Sequence, residues 1–307
     1  MSMDFIISAI VTIVGISTPI LLAATGELVV EKSGVLNLGV EGMMLVGAVT
    51  GFAVTFTTFN PWLGVLAGAA AGATVSMIFG VLVLSLGSNQ VATGLALAIL
   101  GIGLSTLIGA GFVGIIVPPF TSIFPDFLAR DPLWRVLFGY SPLVYIALII
   151  IFVVGWFMKN TRAGLVLRAV GENDLSAHSI GYSVIGIRYA AIAFGGAMAG
   201  IAGSYFSMVI TPMWAEQMTA GRGWIALALV VFAGWKAGRL VVGAYFFGIL
   251  MTLELYAKAT GFSFLPSQFW AAMPYLMAIV VLAVISFRDR TGSEAPACLG
   301  KPFMPNS

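Results

Sequence analysis

Long uncharged runs dominate the chain, and the polar positions between them fall in short clusters. Nine apolar stretches, at about 5–24, 36–57, 62–85, 89–111, 142–158, 185–208, 223–235, 240–258 and 267–287, mostly approach or exceed the roughly 20 residues that cross ~30 Å of hydrocarbon as a helix. The seventh is short for a complete span and reads either as a tilted helix or as a half-helix running into the bend at "GWKAGR". The predicted fold is an all-α integral membrane protein, a polytopic helical bundle of about nine transmembrane segments (8–10). It forms one domain over 1–287, with a cytoplasmic tail over 288–307. Composition agrees: 60% of residues are hydrophobic and 8% charged, against about 25% charged in soluble domains, and the mean hydropathy is +1.06. Small residues spaced as in "GVLAGAAAGA" suit close helix packing in lipid and give a β-barrel no support.

Sidedness follows from the basic residues. With the 159–184 connection inside, Lys32, Lys159, Arg162, Arg168, Arg188, Lys236, Arg239, Arg288, Arg290 and Lys301 lie on the inner side, and Arg130, Arg135, Arg222 and Lys258 outside. The positive-inside rule then predicts an outer N-terminus and an inner C-terminus. The first segment opens with Asp4 and lacks a basic flank or a small-residue cleavage site, so it is expected to stay in the mature protein.

Two connections are longer than packing requires. The outer one, about 112–141, mixes prolines with Phe124, Phe127, Trp134 and Phe138. It reads as a membrane-surface cap with aromatics at headgroup depth, or as a binding surface. In the inner one, about 159–184, Asp174 suits an N-cap and Gly181 a C′ position, so "LSAHSI" is predicted to form a short capped helix held off the membrane. Such a piece serves a partner that grips it, or is an ordinary cytosolic loop.

The stretch "GELVVEKSGVLNLGVEG" gathers Glu27, Glu31, Lys32, Asn37 and Glu41, and the next charge is Asp126. Charge at membrane depth is costly unless it pairs or meets water. The first helix is expected to end near Gly26 and the second to begin near Val35, which puts the cluster at the inner mouth or in a re-entrant turn, with Glu31 and Lys32 solvated. Asn37 and Glu41, at i and i+4, share a helical face and either line a pathway or bond to a neighbouring helix. Asn89 and Thr93 make a second such stripe, with helix capping by Asn89 as the competing role. Glu254 and Lys258 read as a surface salt bridge with a snorkelling lysine.

Several chemistries have no basis in the chain. It has no GxxxxGK[ST] phosphate loop, so it is not its own P-loop ATPase, and no catalytic activity is expected. His178 is the single histidine, without a Cys or His companion, and reads as solvated or subunit-contacting; no metal site is predicted. Cys298 has nothing to pair with, and a net charge of +2 is too small to imply a nucleic-acid partner.

"GELVVEKSGVLNLGVEGMMLVGA", "NQVATGLAL", "TRAGLVLRAVGEN" and "MTAGRGWIALALVVFAGW", in this order, resemble the membrane permease of bacterial ABC importers. The family is that of branched-chain amino acid, ribose and nucleoside permeases, and the likeness is greatest to its nucleoside and simple-sugar branch. It extends from Phe5 to the "PACLGKPF" tail. Two positions depart: Asp174 stands where proline commonly follows Gly-Glu-Asn, and Ala237 where proline often follows Trp-Lys.

The resemblance implies a multi-pass protein of the bacterial cytoplasmic (inner) membrane that forms half of a translocation pathway. Its partners would be a second homologous permease, an ABC ATPase subunit or fused tandem ATPase carrying ATP and Mg, and an extracytoplasmic substrate-binding lipoprotein. No cofactor is expected on this chain. Asn37, Glu41, Asn89 and Thr93 are the candidate pathway residues. Arg168, Gly171, Glu172, Asn173, Ala177, His178, Ile180 and Gly181 are the candidates for ATPase coupling. Nucleosides or simple sugars are the implied cargo. The competing function is a secondary transporter driven by an ion gradient, which would need midplane carboxylates and broken helices.

Overall fold

Each apolar run becomes a helix because, away from water, a helix alone satisfies its own backbone groups within one segment. The computed structural model describes residues 3–120, 123–124, 132–259, 266–288 and 295–303. In chain order the helices are α1 (Met3–Lys32), α2 (Val40–Thr58), α3 (Pro61–Gly80), α4 (Gln90–Gly109), α5 (Pro132–Phe138), α6 (Pro142–Asn160), α7 (Arg162–Glu172), α8 (Asp174–Ser179), α9 (Val184–Tyr205), α10 (Arg222–Phe232), α11 (Ala237–Ala259) and α12 (Ser267–Arg288). π-Helical turns carry α3 on to Ser85 and α9 on to Ile210. Among the described residues seven helices are long and apolar enough to cross a membrane: α1, α2, α3, α4, α6, α9 and α11. α10 and the apolar part of α12, Gln268–Val281, are shorter.

Several boundaries move from their expected places. α1 does not stop near Gly26 but continues to Lys32, so Glu27 and Glu31 are helical and almost completely buried. The helix can continue because both carboxylates find partners inside the protein. α2 begins at Val40, so Asn37 lies in the preceding turn and does not share a helical face with Glu41. The short seventh stretch is the half-helix: α10 has 11 residues, about 16 Å of helix. It ends in a turn where Gly234 and Trp235 both take positive φ. The 159–184 connection contains an unexpected second helix, α7, whose buried Gly164, Leu167 and Gly171 recur at i, i+3 and i+7.

The centre of the bundle is a seam of small residues. A Cβ at Gly47 would strike Gly200, one at Gly72 the Gly196 carbonyl, and one at Gly203 the Met44 carbonyl, so α2, α3 and α9 meet backbone to backbone. In lipid, where burial between helices offers no hydrophobic gain over the tails, such close contact supplies the attraction. Polar bonds reinforce it: Ser204 Oγ donates to Gly47 O at 3.1 Å and Ser207 Oγ to Ala48 O at 2.8 Å.

Described parts of the 112–141 connection fold onto the bundle. Val113 and Ile116 make isolated bridges to Trp214 and Met213, and Phe138 stacks with Trp134 and meets Phe124 edge-on. Phe127 lies outside the described residues. Glu254 and Lys258 form the expected surface pair at 2.6 Å. Part of the tail docks as well: Cys298 N donates to Gly171 O at 2.9 Å, Gly300 N to Gly34 O at 3.1 Å, and the Phe303 ring sits 5.5 Å from that of His178.

Candidate functional site

α10 starts inside the bundle, and Glu41 holds its start. One carboxylate oxygen of Glu41 accepts from Thr219 Oγ1 at 2.6 Å and Gly221 N at 2.7 Å; the other accepts from Gly223 N at 2.6 Å. The first backbone N–H groups of a helix lack internal partners and carry partial positive charge, so a buried anion there is both bonded and electrostatically favoured. Gly223 leaves the room, since a Cβ would lie 2.8 Å from the Glu41 backbone nitrogen. Next along α2, Gly42 rests against Leu97 and Ala98 of α4. That contact is about 10 Å from the start of α4, which places the Glu41–α10 junction well inside the protein.

The remaining members of the polar cluster are bonded too. Asn37 Nδ2 donates to Glu27 Oε1 at 3.3 Å, while Asn37 Oδ1 accepts from Gly39 N at 3.0 Å and shapes the turn into α2. Glu31, expected to be solvated, is 1% exposed and accepts from Trp235 Nε1 at 2.6 Å. The Lys32 ammonium lies 6.0 Å from the centroid of that indole, at cation–π distance. The charges within residues 26–42 thus fasten the C-terminal half of α1 to both ends of α10: Glu31 at the far turn and, through the adjoining turn, Glu41 at the start.

Beside the Glu41–α10 junction is a cavity of about 290 Å³, lined by Glu41, Leu45, Ile102, Gln217, Ala220, Gly221, Trp224 and Tyr275. Trp224 and Tyr275 are 43% and 39% exposed, and the Tyr275 hydroxyl donates to Ala220 O. Gln217 and Ala220 take φ of 51° and 47°, so the loop that supplies the polar wall is held in a left-handed backbone that non-glycine residues seldom adopt. An amide, a carboxylate edge and two aromatic faces can engage a neutral hydroxylated ring by hydrogen bonds and stacking.

Of the predicted pathway residues, only Glu41 lines this cavity. Asn37 is fully buried against Glu27. Asn89 is an exposed N-cap of α4, its side chain accepting from Ala92 N at 3.0 Å, and Thr93 meets Ser88 Oγ at 2.9 Å. The cavity residues Gln217, Trp224 and Tyr275 escaped the sequence reading. The available signal was Gly221 and Gly223 flanking the start of a short apolar helix, together with a lone Glu41 in need of donors.

At the opposite end, the 159–184 connection builds a platform. Thr161 caps α7, its Oγ1 accepting from Gly164 N at 3.0 Å. The N-cap of α8 is Asn173, not Asp174: Asn173 Oδ1 accepts from Ser176 N at 2.9 Å. Asp174 instead pairs with Arg188 at 3.0 Å, and Arg188, itself fully buried, donates through Nε to Ser33 O at 3.1 Å. Gly181 takes φ +93° after α8, as its C′ role requires. Ala177 is buried against Val170 and Val184, and Gly171 packs against the Lys32 carbonyl, so neither offers a docking face. Glu172 bonds the tail through Ala297 N at 3.4 Å, Arg168 is partly buried, and His178 is exposed beside Phe303. The large apolar side chains exposed on the described 159–184 connection are Leu165, Leu175, Ile180 and Tyr182, of which Ile180 alone is among the predicted coupling residues.

A Haloferax volcanii ABC permease whose glucose assignment is itself provisional is 40% identical over 297 residues, covering 90% of each chain. A guanosine ABC transporter permease of Bacillus subtilis is 30% identical, covering 94% of this chain and 93% of its own. A nucleoside ABC transporter permease of Lactococcus lactis is 27% identical, with 87% and 89% covered. No solved structure matches the chain. A family model described as the permease component of the branched-chain amino acid transport system matches residues 9–284. The chain, a multi-pass membrane protein consistent with the bacterial inner membrane, therefore belongs to this permease family, in the branch of the nucleoside and simple-sugar ABC permeases.

Proposed function

We propose that this chain forms half of the membrane pathway of an ATP-driven importer for nucleosides or simple sugars, with a second permease, a separate ATPase and an extracytoplasmic binding lipoprotein as partners. The observation that carries the reading is the 290 Å³ cavity in which Gln217, Glu41, Trp224 and Tyr275 converge beside a half-helix start. Its polar groups suit a neutral ring bearing hydroxyls, and no Lys or Arg lines it, as a phosphorylated cargo would require. The reading takes the nine-segment arrangement with an outer N-terminus and inner C-terminus, α10 and α12 being the two further segments. The exposed Leu175, Ile180 and Tyr182 on the 159–184 platform would then enter a groove on the ATPase, with Arg168, Glu172, Asn173, His178 and Gly181 bracing it.

A broken helix and a buried carboxylate are also what a secondary transporter would use. Here, however, the Glu41 carboxylate already accepts three hydrogen bonds, two of them from a helix start, and the ABC relatives favour ATP coupling. The test is uptake of labelled guanosine and glucose by vesicles carrying the co-expressed importer subunits. ATP-dependent uptake of either cargo is expected. Uptake by this chain alone, driven by an imposed ion gradient and indifferent to ATP, would overturn the proposal in favour of the secondary transporter.

A further inference from the structure

The segment 295–303 lies across two parts of the chain that are far apart in sequence. On one side it closes the end of α7. Cys298 N donates to Gly171 O at 2.9 Å, the Cys298 thiol donates to Glu172 O at 3.6 Å, and Ala297 N donates to Glu172 Oε2 at 3.4 Å. The last four carbonyls of a helix have no partner within it, so the two that end α7 take theirs from Cys298. Phe303 packs against the cluster of Val170, Ala177 and Val184 and meets the His178 ring, which covers the junction of α7 and α8.

On the other side the segment holds the turn between α1 and α2. Gly300 N donates to Gly34 O at 3.1 Å. Gln90, buried at the start of α4, accepts from Leu36 N at 2.8 Å and donates its amide to Lys301 O at 3.4 Å. Gly34 and Gly300 take φ of +90° and +74°, a backbone that suits glycine, and a Cβ on Gly34 would lie 3.4 Å from Cys298. The segment's own bends are closed by Leu299 N to Pro296 O and Lys301 N to Cys298 O, both at 3.0 Å. The turn it holds leads directly into Asn37, which shapes the entry to α2, and so to Glu41 at the start of α10.

We infer that residues 295–303 are a strap that positions the 159–184 platform on the α1–α2 turn and on α4, so that a displacement of the platform reaches the Glu41–α10 junction. The inference rests on the reading that the platform meets the ATPase. Without the strap, the Asp174–Arg188 pair and the contact of Gly171 with Lys32 still attach the platform to the bundle. The platform therefore stays folded and in place. What it loses is the bonded link from the end of α7 to Gly34, Leu36 and Gln90, and with it the transmission of movement.

The test uses the assembled importer in vesicles, with this chain, its ATPase and its companion subunits. Cys298 is the single cysteine of the chain, so maleimide alkylation of this subunit, read by mass, reports strap docking without reference to ATPase or cargo. Phe303→Ala should alkylate several-fold faster than wild type. Deletion of 295–307 should leave abundance and ATPase copurification intact, while labelled guanosine or glucose taken up per ATP hydrolysed falls about fivefold or more, the lower end of coupling between linked sites. Phe303→Ala removes no backbone donor and supplies the same ratio should the deletion lower abundance. Three results overturn the inference: alkylation of wild type as fast as that of Phe303→Ala; uptake per ATP at the wild-type level in both variants; or loss of the ATPase from the deletion variant, which marks the segment as a subunit contact. Failure of the platform reading is seen separately, in normal ATPase capture by Ile180→Arg, a substitution that leaves every bond of the strap in place.

Discussion

The Glu41 carboxylate lies 2.6 Å from the backbone nitrogen of Gly223, a residue 182 positions later in the chain. This contact fixes the start of α10 and one wall of the pathway cavity together, so structure and transport should fail together when it is lost. Hydrogen bonds to a charged group contribute about 1.5–3 kcal/mol each. Glu41→Ala should therefore lower the thermal midpoint of the purified complex and its abundance in the membrane, with Glu41→Gln falling between the two. A Glu41→Ala complex as stable as wild type would mean that the contact does not hold α10.

The aromatic wall should behave differently. Trp224 and Tyr275 are about 40% exposed and line the cavity, and neither donates to the Glu41 carboxylate, although Tyr275 also bonds Ala220 O beside the start of α10. Trp224→Ala and Tyr275→Ala should keep normal abundance while uptake per complex drops about tenfold, on the scale of one lost ring-stacking contact of ~1 kcal/mol or more. Trp224→Phe should restore most of it. Uptake normalised to immunoblotted complex is the readout, and unchanged transport in both alanine variants would remove this cavity from the pathway.

Arg188 is completely buried and pairs with Asp174, which is 13% exposed. Removing one member of a buried pair costs about 3–5 kcal/mol because the other charge is stranded. Asp174→Leu and Arg188→Met should each reduce abundance sharply, and the double variant should recover part of the loss. A double-mutant cycle on thermal midpoints measures the coupling; strictly additive losses would show that the two residues act independently.

On the 159–184 platform, burial separates two neighbouring substitutions. Ile180→Arg changes a side chain that is 73% exposed and should abolish copurification with the ATPase while abundance holds. Ala177→Arg forces a long cation into a site that is 2% exposed and should fail at folding instead. Copurification on a tagged ATPase, with total membrane protein as the reference, distinguishes the two. Normal ATPase capture by Ile180→Arg would move the docking surface elsewhere.

The glycine seam should tolerate no added methyl. Gly200→Ala places a Cβ against the Gly68 carbonyl, a backbone atom that cannot yield without separating α3 from α9. Overpacking of this kind costs about 1–3 kcal/mol. The expected result is an earlier melting transition in fluorescence-detected size exclusion, whereas Gly103→Ala, with open space around it, should melt as wild type does.

The apolar runs and their small-residue spacing were enough to predict a helical membrane bundle and the shortness of α10, though not whether it is tilted or a half-helix, and local capping residues were enough to predict the short α8, because these depend on neighbours a few positions apart. Helix ends were less legible. α1 outruns its apolar stretch because Glu27 and Glu31 are bonded by Asn37 and by Trp235, 204 positions away from Glu31, and no local pattern announces such partners. The N-cap fell one residue from its predicted place for the same reason, Asp174 being drawn off by Arg188. The i, i+4 reading of Asn37 and Glu41 assumed a helix that begins only at Val40, so the structure separated the pair and sent Glu41 to α10. Gln217, Trp224 and Tyr275 converge on one cavity only after α2, α10 and α12 are packed together. Hydropathy and periodicity are local quantities and determine which segments are helical in lipid. Which buried charge meets which donor is decided by the packing of helices distant in sequence, because a charge in a low-dielectric interior must find its partner wherever the fold brings one within reach.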